Sequence, residues 1–460
     1  MPNDVIVIGA GMSGLAAGIR AAMFDRKVVI LERHSVWGGL NSFYNYQGHQ
    51  FDVGLHAMTN YAAKNARGLP LTRLLKQLRI RHEQLDLCEQ GHSAVSFPGV
   101  KLRFSNNFEL LRSEVARAFP AEVDGFDALA REVDGYDELD LSAANLDARP
   151  VVERHIKEPL LREMLFCPLM YYGSAREDEM DWYQFVIMFK AIFQQGFARP
   201  QNGVRHILKL LTAKYRELGG ELKMKAGVAR LIVENGATTG VELEGGETLT
   251  APRVLSSAGW AETLRLAGRE PALVSDLGRL SFTESISVLD RPAAEIGIDE
   301  TIIFFSNREQ FRYRRPEGLC DQDSGVICMP GNFNLREPLK DQLVRITNIA
   351  SHPRWRELEE DDYRAAKEAA YKASVDAAVA GGHIPDFRGH VTLVDSFTPR
   401  TIEHYTGHLG GAVYGSPLKR RDGRTPVEGL HVIGTDQGFL GITGAMLSGI
   451  TIANSTVLSS

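Results

Sequence analysis

At 460 residues the chain exceeds one ordinary hydrophobic core and implies two or three domains, which can be assembled from non-contiguous segments. Hydrophobic residues at 44%, charged residues at 24% and aromatics at 8% exclude a disordered or fibrous chain. A net charge of −6 without any block of like charges excludes an electrostatic footprint for nucleic acid and a polybasic membrane tether.

The first elements read as strand, helix, strand: an apolar run at 4–8, helix-forming residues over 13–24, and a second apolar run at 28–31. The first run has no basic leader or cleavage site and glycines interrupt it at once, so a cytoplasmic protein is expected rather than a secreted one. From about 71 to 199 the pattern is mostly helical, with Phe, Met, Tyr and Leu concentrated between 160 and 197, and predicts a separate lobe. Val204, Ile207, Leu208, Leu211, Tyr215 and Leu218 keep helical spacing, and Gly219 and Gly220 end that helix before short strands over 221–258. Strand-like segments at 286–305 and 326–333, then an alanine-rich helix over 361–379, resume the second lobe. A last strand at 430–433 meets Gly434 and precedes a helix from about 444. No stretch approaches the roughly 20 apolar residues of a membrane span, so any membrane contact is expected to be peripheral.

Gly9, Gly11 and Gly14 form a Gly-x-Gly-x-x-Gly pattern, which 44 glycines would produce by chance about 0.4 times in such a chain. Its context carries the weight: the glycines follow an apolar strand, open a helix, and are followed by Glu32 at the end of the next strand. Gly9 allows the tight turn, Gly11 lets the backbone approach a pyrophosphate, and Gly14 lets helix and strand pack closely. The helix N-terminus, with Ser13 as an added donor, suits the phosphates. Glu32, an acceptor-only carboxylate, suits a ribose with free hydroxyls and disfavours a 2′-phosphate. No second motif of this kind follows, so a separate nicotinamide domain is not expected.

Four cysteines, Cys88, Cys167, Cys320 and Cys328, lie far apart and read as reduced core thiols. His404 and His408 are four residues apart but have no Glu between them, so no metal site is expected. The aromatic and Met-rich run at 164–197 reads first as core and second as a lipid-facing channel.

Residues 32–39, with Glu32, Arg33, Gly38 and Gly39, closely resemble the second glycine motif of the FAD-dependent amine oxidase and phytoene desaturase superfamily. Phe51, Asp52 and Gly54 resemble its Asp-x-Gly element, and 200–208 resembles its Pro-x-Gly-Gly motif. Residues 225–233 and 251–258 are similar to the strands whose backbone, at Val228, brackets the adenine. Residues 429–449 resemble the closing flavin motif. The resemblance spans nearly the whole chain. It implies an α/β fold, a Rossmann-type FAD-binding domain formed by 1–70, 200–280 and 400–460, interleaved with an α+β substrate-binding domain formed by 71–199 and 281–399.

It also implies FAD as cofactor, held by Gly9, Gly11, Ser13, Gly14, Glu32 and Arg33, by Gly38, Gly39, Leu40 and Asn41, and by Val228. At the far end, Gly434, Asp436, Gly441, Ile442 and Thr443 complete that set. Asp436 would bind the ribityl chain, and the helix opening at 441–444 would put its positive end near the flavin N1/O2 edge.

Within the superfamily, 398–405 and 411–417, with Tyr414 and Gly415, are similar to carotenoid desaturases, carotenoid isomerases and retinol saturases. Leu40 departs from the usual Arg and Asn202 from a glycine. Thr435 and Asp436 replace the Gly-Glu of many amine oxidases, and 281–289 contains no lysine, both of which argue against an amine substrate. The expected reaction is therefore on carbon–carbon bonds of a long hydrophobic polyene, isoprenoid or fatty-acyl substrate, by hydride transfer at flavin N5. Desaturation, saturation and isomerisation stay open. An amine or amino-acid oxidase and a non-catalytic flavin-binding protein are the alternatives. His56 is the candidate acid/base or positioning group, and Tyr405 and Tyr414 are candidates for the substrate channel.

Overall fold

The computed structural model describes residues 2–54, 57–137 and 146–459. Strand Val5–Ile8 is wholly buried and lies between Val28–Leu31 and Val254–Ser256, with Glu221–Lys223 and Leu430–Val432 at the edges. All four pairings are parallel, which explains why the inner strands are continuous apolar runs and not alternating ones. Helices Met12–Ala22, Val204–Glu217 and Gly441–Thr456 bury their apolar sides in one core against this sheet. A three-stranded antiparallel sheet, Val228–Glu234, Ala237–Leu243 and Thr248–Thr250, contributes to a second core with the residues of Val28–Leu31 and Val254–Ser256 that point the other way.

A seven-stranded sheet follows the order Val391–Phe397, Ser281–Leu289, Gln342–Ala350, Ser324–Cys328, Ile302–Ser306, Ser93–Phe97, Val100–Phe104. Its pairings are antiparallel except that between Ile302–Ser306 and Ser93–Phe97. The register places Glu284 opposite Thr347 on one side and Phe397 on the other. Helices Phe108–Ala118, Val123–Gly135, Ala148–His155, Pro159–Gly173 and Trp182–Phe189 pack into a large aromatic core with one face of this sheet. Helix Glu360–Ala380 packs Val375 and Ala378 with Ile303, Val344 and Ile346 on the other.

Most of 71–199 is helical, as the sequence suggests, but the segment also contributes strands that the helical reading passed over. Ser93–Phe97 and Val100–Phe104 are strands of the large sheet, and Ser93–Phe97 is buried at every position. Such a run has no period by which to distinguish it from a helix segment. The run at 164–197 is core, with Tyr171 and Tyr172 as the residues that also face a cavity. No helix among the described residues is long and apolar enough to cross a membrane.

Candidate functional site

The parallel sheet ends in a turn at Gly9, whose φ of +94° favours glycine. A Cβ on Gly14 would lie 2.0 Å from the Gly9 carbonyl oxygen, so that position is reserved for helix and strand to touch. Gly11 is different. A Cβ there meets nothing nearer than the Gly38 carbonyl oxygen at 3.9 Å, because the space in front of it is a cavity of about 380 Å³. Helix Met12–Ala22 has no side-chain cap at Gly11, so its first backbone N–H groups are available to an anion. Glu32 is fixed at the end of the neighbouring strand: Ala10 N–H donates to Oε2 and His34 N–H to Oε1, each at 3.0 Å.

The same cavity is lined by Gly9, Ser13, Arg33, Gly38, Gly39, Leu40 and Asn41, and by Val228, Gly434 and Asp436. Both Asp436 oxygens are occupied on their inner side, Oδ2 by Trp260 N–H at 2.5 Å and Oδ1 by Ser416 N–H at 2.6 Å. Lys419 Nζ lies 3.8 Å from Oδ1, and its burial pushes the ammonium down to about 8 against the pull of Asp436.

A second cavity, of about 180 Å³, is mostly apolar, with Phe282, Phe397, Ile402, Val413 and Leu440 in its wall. Leu40, Asn41, Thr435 and Ala445 line both cavities, so the two are neighbours that meet at those residues. Gly441, Ile442 and Tyr414 face the second one. The Tyr414 hydroxyl donates to the Tyr171 carbonyl oxygen.

Thr443 lines neither cavity; its hydroxyl is buried and donates to the Thr59 carbonyl oxygen at 3.4 Å. Arg33 Nη2 donates to the His404 carbonyl oxygen at 3.0 Å, tying it to helix Pro399–Thr406. Tyr405 is 60% exposed, sits beside His34 with ring centroids 5.7 Å apart, and lines the first cavity rather than the second, away from an apolar channel. Its exposed ring belongs to the rim. His56 lies outside the described residues.

Sequence reasoning missed Glu284 and Arg345. Glu284 lines the apolar cavity, and its carboxylate meets the Arg345 guanidinium behind it. Arg345 Nη1 also donates to the Asp52 carbonyl oxygen at 2.9 Å, while the Asp52 carboxylate accepts from Arg205 Nε at 2.8 Å. Burial pushes the Glu284 carboxyl up to about 7, and Arg345 opposes that rise. A signal was present: each is the one charged residue of a nine-residue strand, Ser281–Leu289 or Gln342–Ala350.

Fold and site together define a Rossmann-type oxidoreductase with a dinucleotide cavity. A family profile for NAD(P)-binding Rossmann-like domains matches residues 7–78. The chain is 24% identical to all-trans-retinol 13,14-reductase of Danio rerio, over 98% of this chain and 86% of that protein. It is 21% identical to the chloroplastic prolycopene isomerase of Daucus carota, over 98% and 79%. In structure it resembles putrescine oxidase bound to putrescine, with a TM-score of 0.63 and 16% identity over 100% of both chains. These comparisons support a likeness to the superfamily of FAD-dependent amine oxidases and carotenoid desaturases.

Proposed function

We propose that the protein is an FAD-dependent oxidoreductase that acts on carbon–carbon bonds of a long hydrophobic polyene, isoprenoid or fatty-acyl substrate, by hydride transfer at flavin N5. The observation that carries this reading is the meeting of a polar, glycine-lined cavity with an apolar one at Leu40, Asn41, Thr435 and Ala445. The open space in front of Gly11 fits a pyrophosphate, and Glu32, which retains lone pairs beyond its two backbone contacts, fits the adenosine ribose. Asp436 is held to receive a ribityl hydroxyl, and the N-terminal end of helix Gly441–Thr456 lies by the junction of the two cavities, where a flavin ring would lie and leave the rest of the apolar cavity to the substrate. FAD, when bound, supplies hydride acceptance or donation.

The chain supplies orientation and exclusion of water. An apolar wall favours a hydrocarbon chain by about 0.8 kcal/mol per methylene buried. On sequence grounds we assign His56 as the acid/base group; His56→Ala is then expected to slow conversion by about 10²- to 10⁴-fold with substrate affinity nearly intact. The discontinuous division into an FAD-binding domain and a substrate lobe is supported by the strand membership of the two large sheets.

The relatives named for retinol and prolycopene favour a polyene or isoprenoid over an amine, as does a strand Ser281–Leu289 without lysine. Anaerobic mixing of the holoprotein with long-chain polyenes and with amines tests this. A change in the flavin spectrum with a polyene and none with amines is expected; bleaching by amines alone would establish the oxidase alternative.

A further inference from the structure

The wall of the apolar cavity contains polar groups that an all-hydrocarbon substrate would leave idle. Glu284 and Thr347 are register partners on adjacent strands and both line the cavity, 2% and 5% exposed. Tyr172, near the end of helix Pro159–Gly173, lines it too at 6% exposed, and burial holds its hydroxyl in the neutral form. The hydroxyls of Tyr172 and Thr347 have no hydrogen-bond partner. Each can both donate and accept, and a buried hydroxyl left unpaired is costly enough to call for an explanation. Their apolar surroundings, Phe282, Phe397, Val413 and Leu440, offer none.

We propose that Glu284, Tyr172 and Thr347 form a socket for one neutral hydroxyl of the substrate, which makes the substrate class a long-chain alcohol with a polyene or isoprenoid body. The inference rests on the apolar-substrate reading above and specifies its polar end. A hydroxyl donates to the Glu284 carboxylate and accepts from both Tyr172 and Thr347 through its two lone pairs, so all three groups are used at once. A carboxylate would bring a second negative charge to Glu284. An ammonium would compete with Arg345, which already balances that carboxylate. A bare hydrocarbon would leave the unpaired hydroxyls as they are, the situation in which polar sites discriminate most strongly.

Equilibrium binding to the holoprotein, read by fluorescence quenching, tests the socket with four ligands that share a chain: geranylgeraniol, geranylgeranoic acid, geranylgeranyl amine and the corresponding hydrocarbon. Geranylgeraniol is expected to bind at least about tenfold more tightly than the other three. Tyr172→Phe and Thr347→Val, which keep shape, are each expected to remove about tenfold of its affinity and to leave the hydrocarbon unaffected or improved. Equal binding of alcohol and hydrocarbon, tighter binding of acid or amine, or variants that keep the alcohol preference would overturn the socket while the long-chain reading stands. Failure of all four to bind would overturn both. Should the variants not fold, the wild-type ranking decides.

Discussion

Glu284 and Arg345 meet on adjacent strands of the seven-stranded sheet with 2% and 1% of their surface exposed, the carboxylate facing the apolar cavity and the guanidinium behind it. Removing one partner leaves a buried charge uncompensated. Glu284→Leu is therefore expected to cost about 3–5 kcal/mol, and Glu284→Leu combined with Arg345→Met to recover most of that loss. Denaturant unfolding of the two single variants and the double variant measures the coupling; a double variant no more stable than the singles would show that the pair is not an energetic unit.

Gly11 and Gly14 are expected to fail in different ways when enlarged. Gly11→Val places its side chain in the cavity, so the protein folds without its dinucleotide. Gly14→Val drives a side chain into the Gly9 carbonyl and is expected to lower the yield of folded protein itself. Cofactor content and thermal unfolding of both variants separate the two effects, and stoichiometric cofactor in Gly11→Val would remove the cavity's assigned role.

Asp436→Ala removes the acceptor for Trp260 N–H and Ser416 N–H and the counter-charge of Lys419. We expect dinucleotide affinity to fall about ten- to a hundredfold. Stability is also expected to fall, by about 2–4 kcal/mol, because two buried amides lose their partner. Unchanged affinity in a titration of the apoprotein would take Asp436 out of the site and leave it a structural anchor.

His383 gives the protein an acid-sensitive point away from both cavities. Its ring nitrogens lie 2.8 Å from Ser96 Oγ and 3.1 Å from Asn307 Oδ1, and burial, with Lys101 adding, pushes its pKa down to about 4 from 6.5. Between those values the unfolded chain binds a proton that the folded one refuses, so stability falls as the pH drops from 6.5 towards 4, by up to about 3 kcal/mol. His383→Gln is expected to flatten this part of the pH profile. Denaturation midpoints at pH 7 and 4.5 for both proteins check it, and an unchanged slope would assign the loss to other groups.

The residues that were legible in the sequence are those whose chemistry is local. Gly9, Gly11, Gly14 and Glu32 act through one strand, helix, strand unit, and their spacing along the chain is their spacing in space. Asp436 and Gly434 were readable for the same reason, as parts of one continuous closing motif. Glu284, Arg345, Thr347 and Tyr172 were not, since they converge only when Ser281–Leu289 pairs with Gln342–Ala350 and helix Pro159–Gly173 packs against that sheet. Gln342–Ala350 is almost wholly buried and carries no alternation that marks it as a strand. Tyr405 was misleading for a related cause: its neighbours in sequence suggest a channel, whereas the end of helix Pro399–Thr406 turns it outward beside His34.

The nucleotide released when the purified protein is denatured tests the central claim most directly. The account predicts FAD, because the pyrophosphate-facing glycines and Glu32 require an adenosine half to engage and the junction with the apolar cavity has room for a ring system. Recovery of FMN, or of NAD without any flavin, would contradict it.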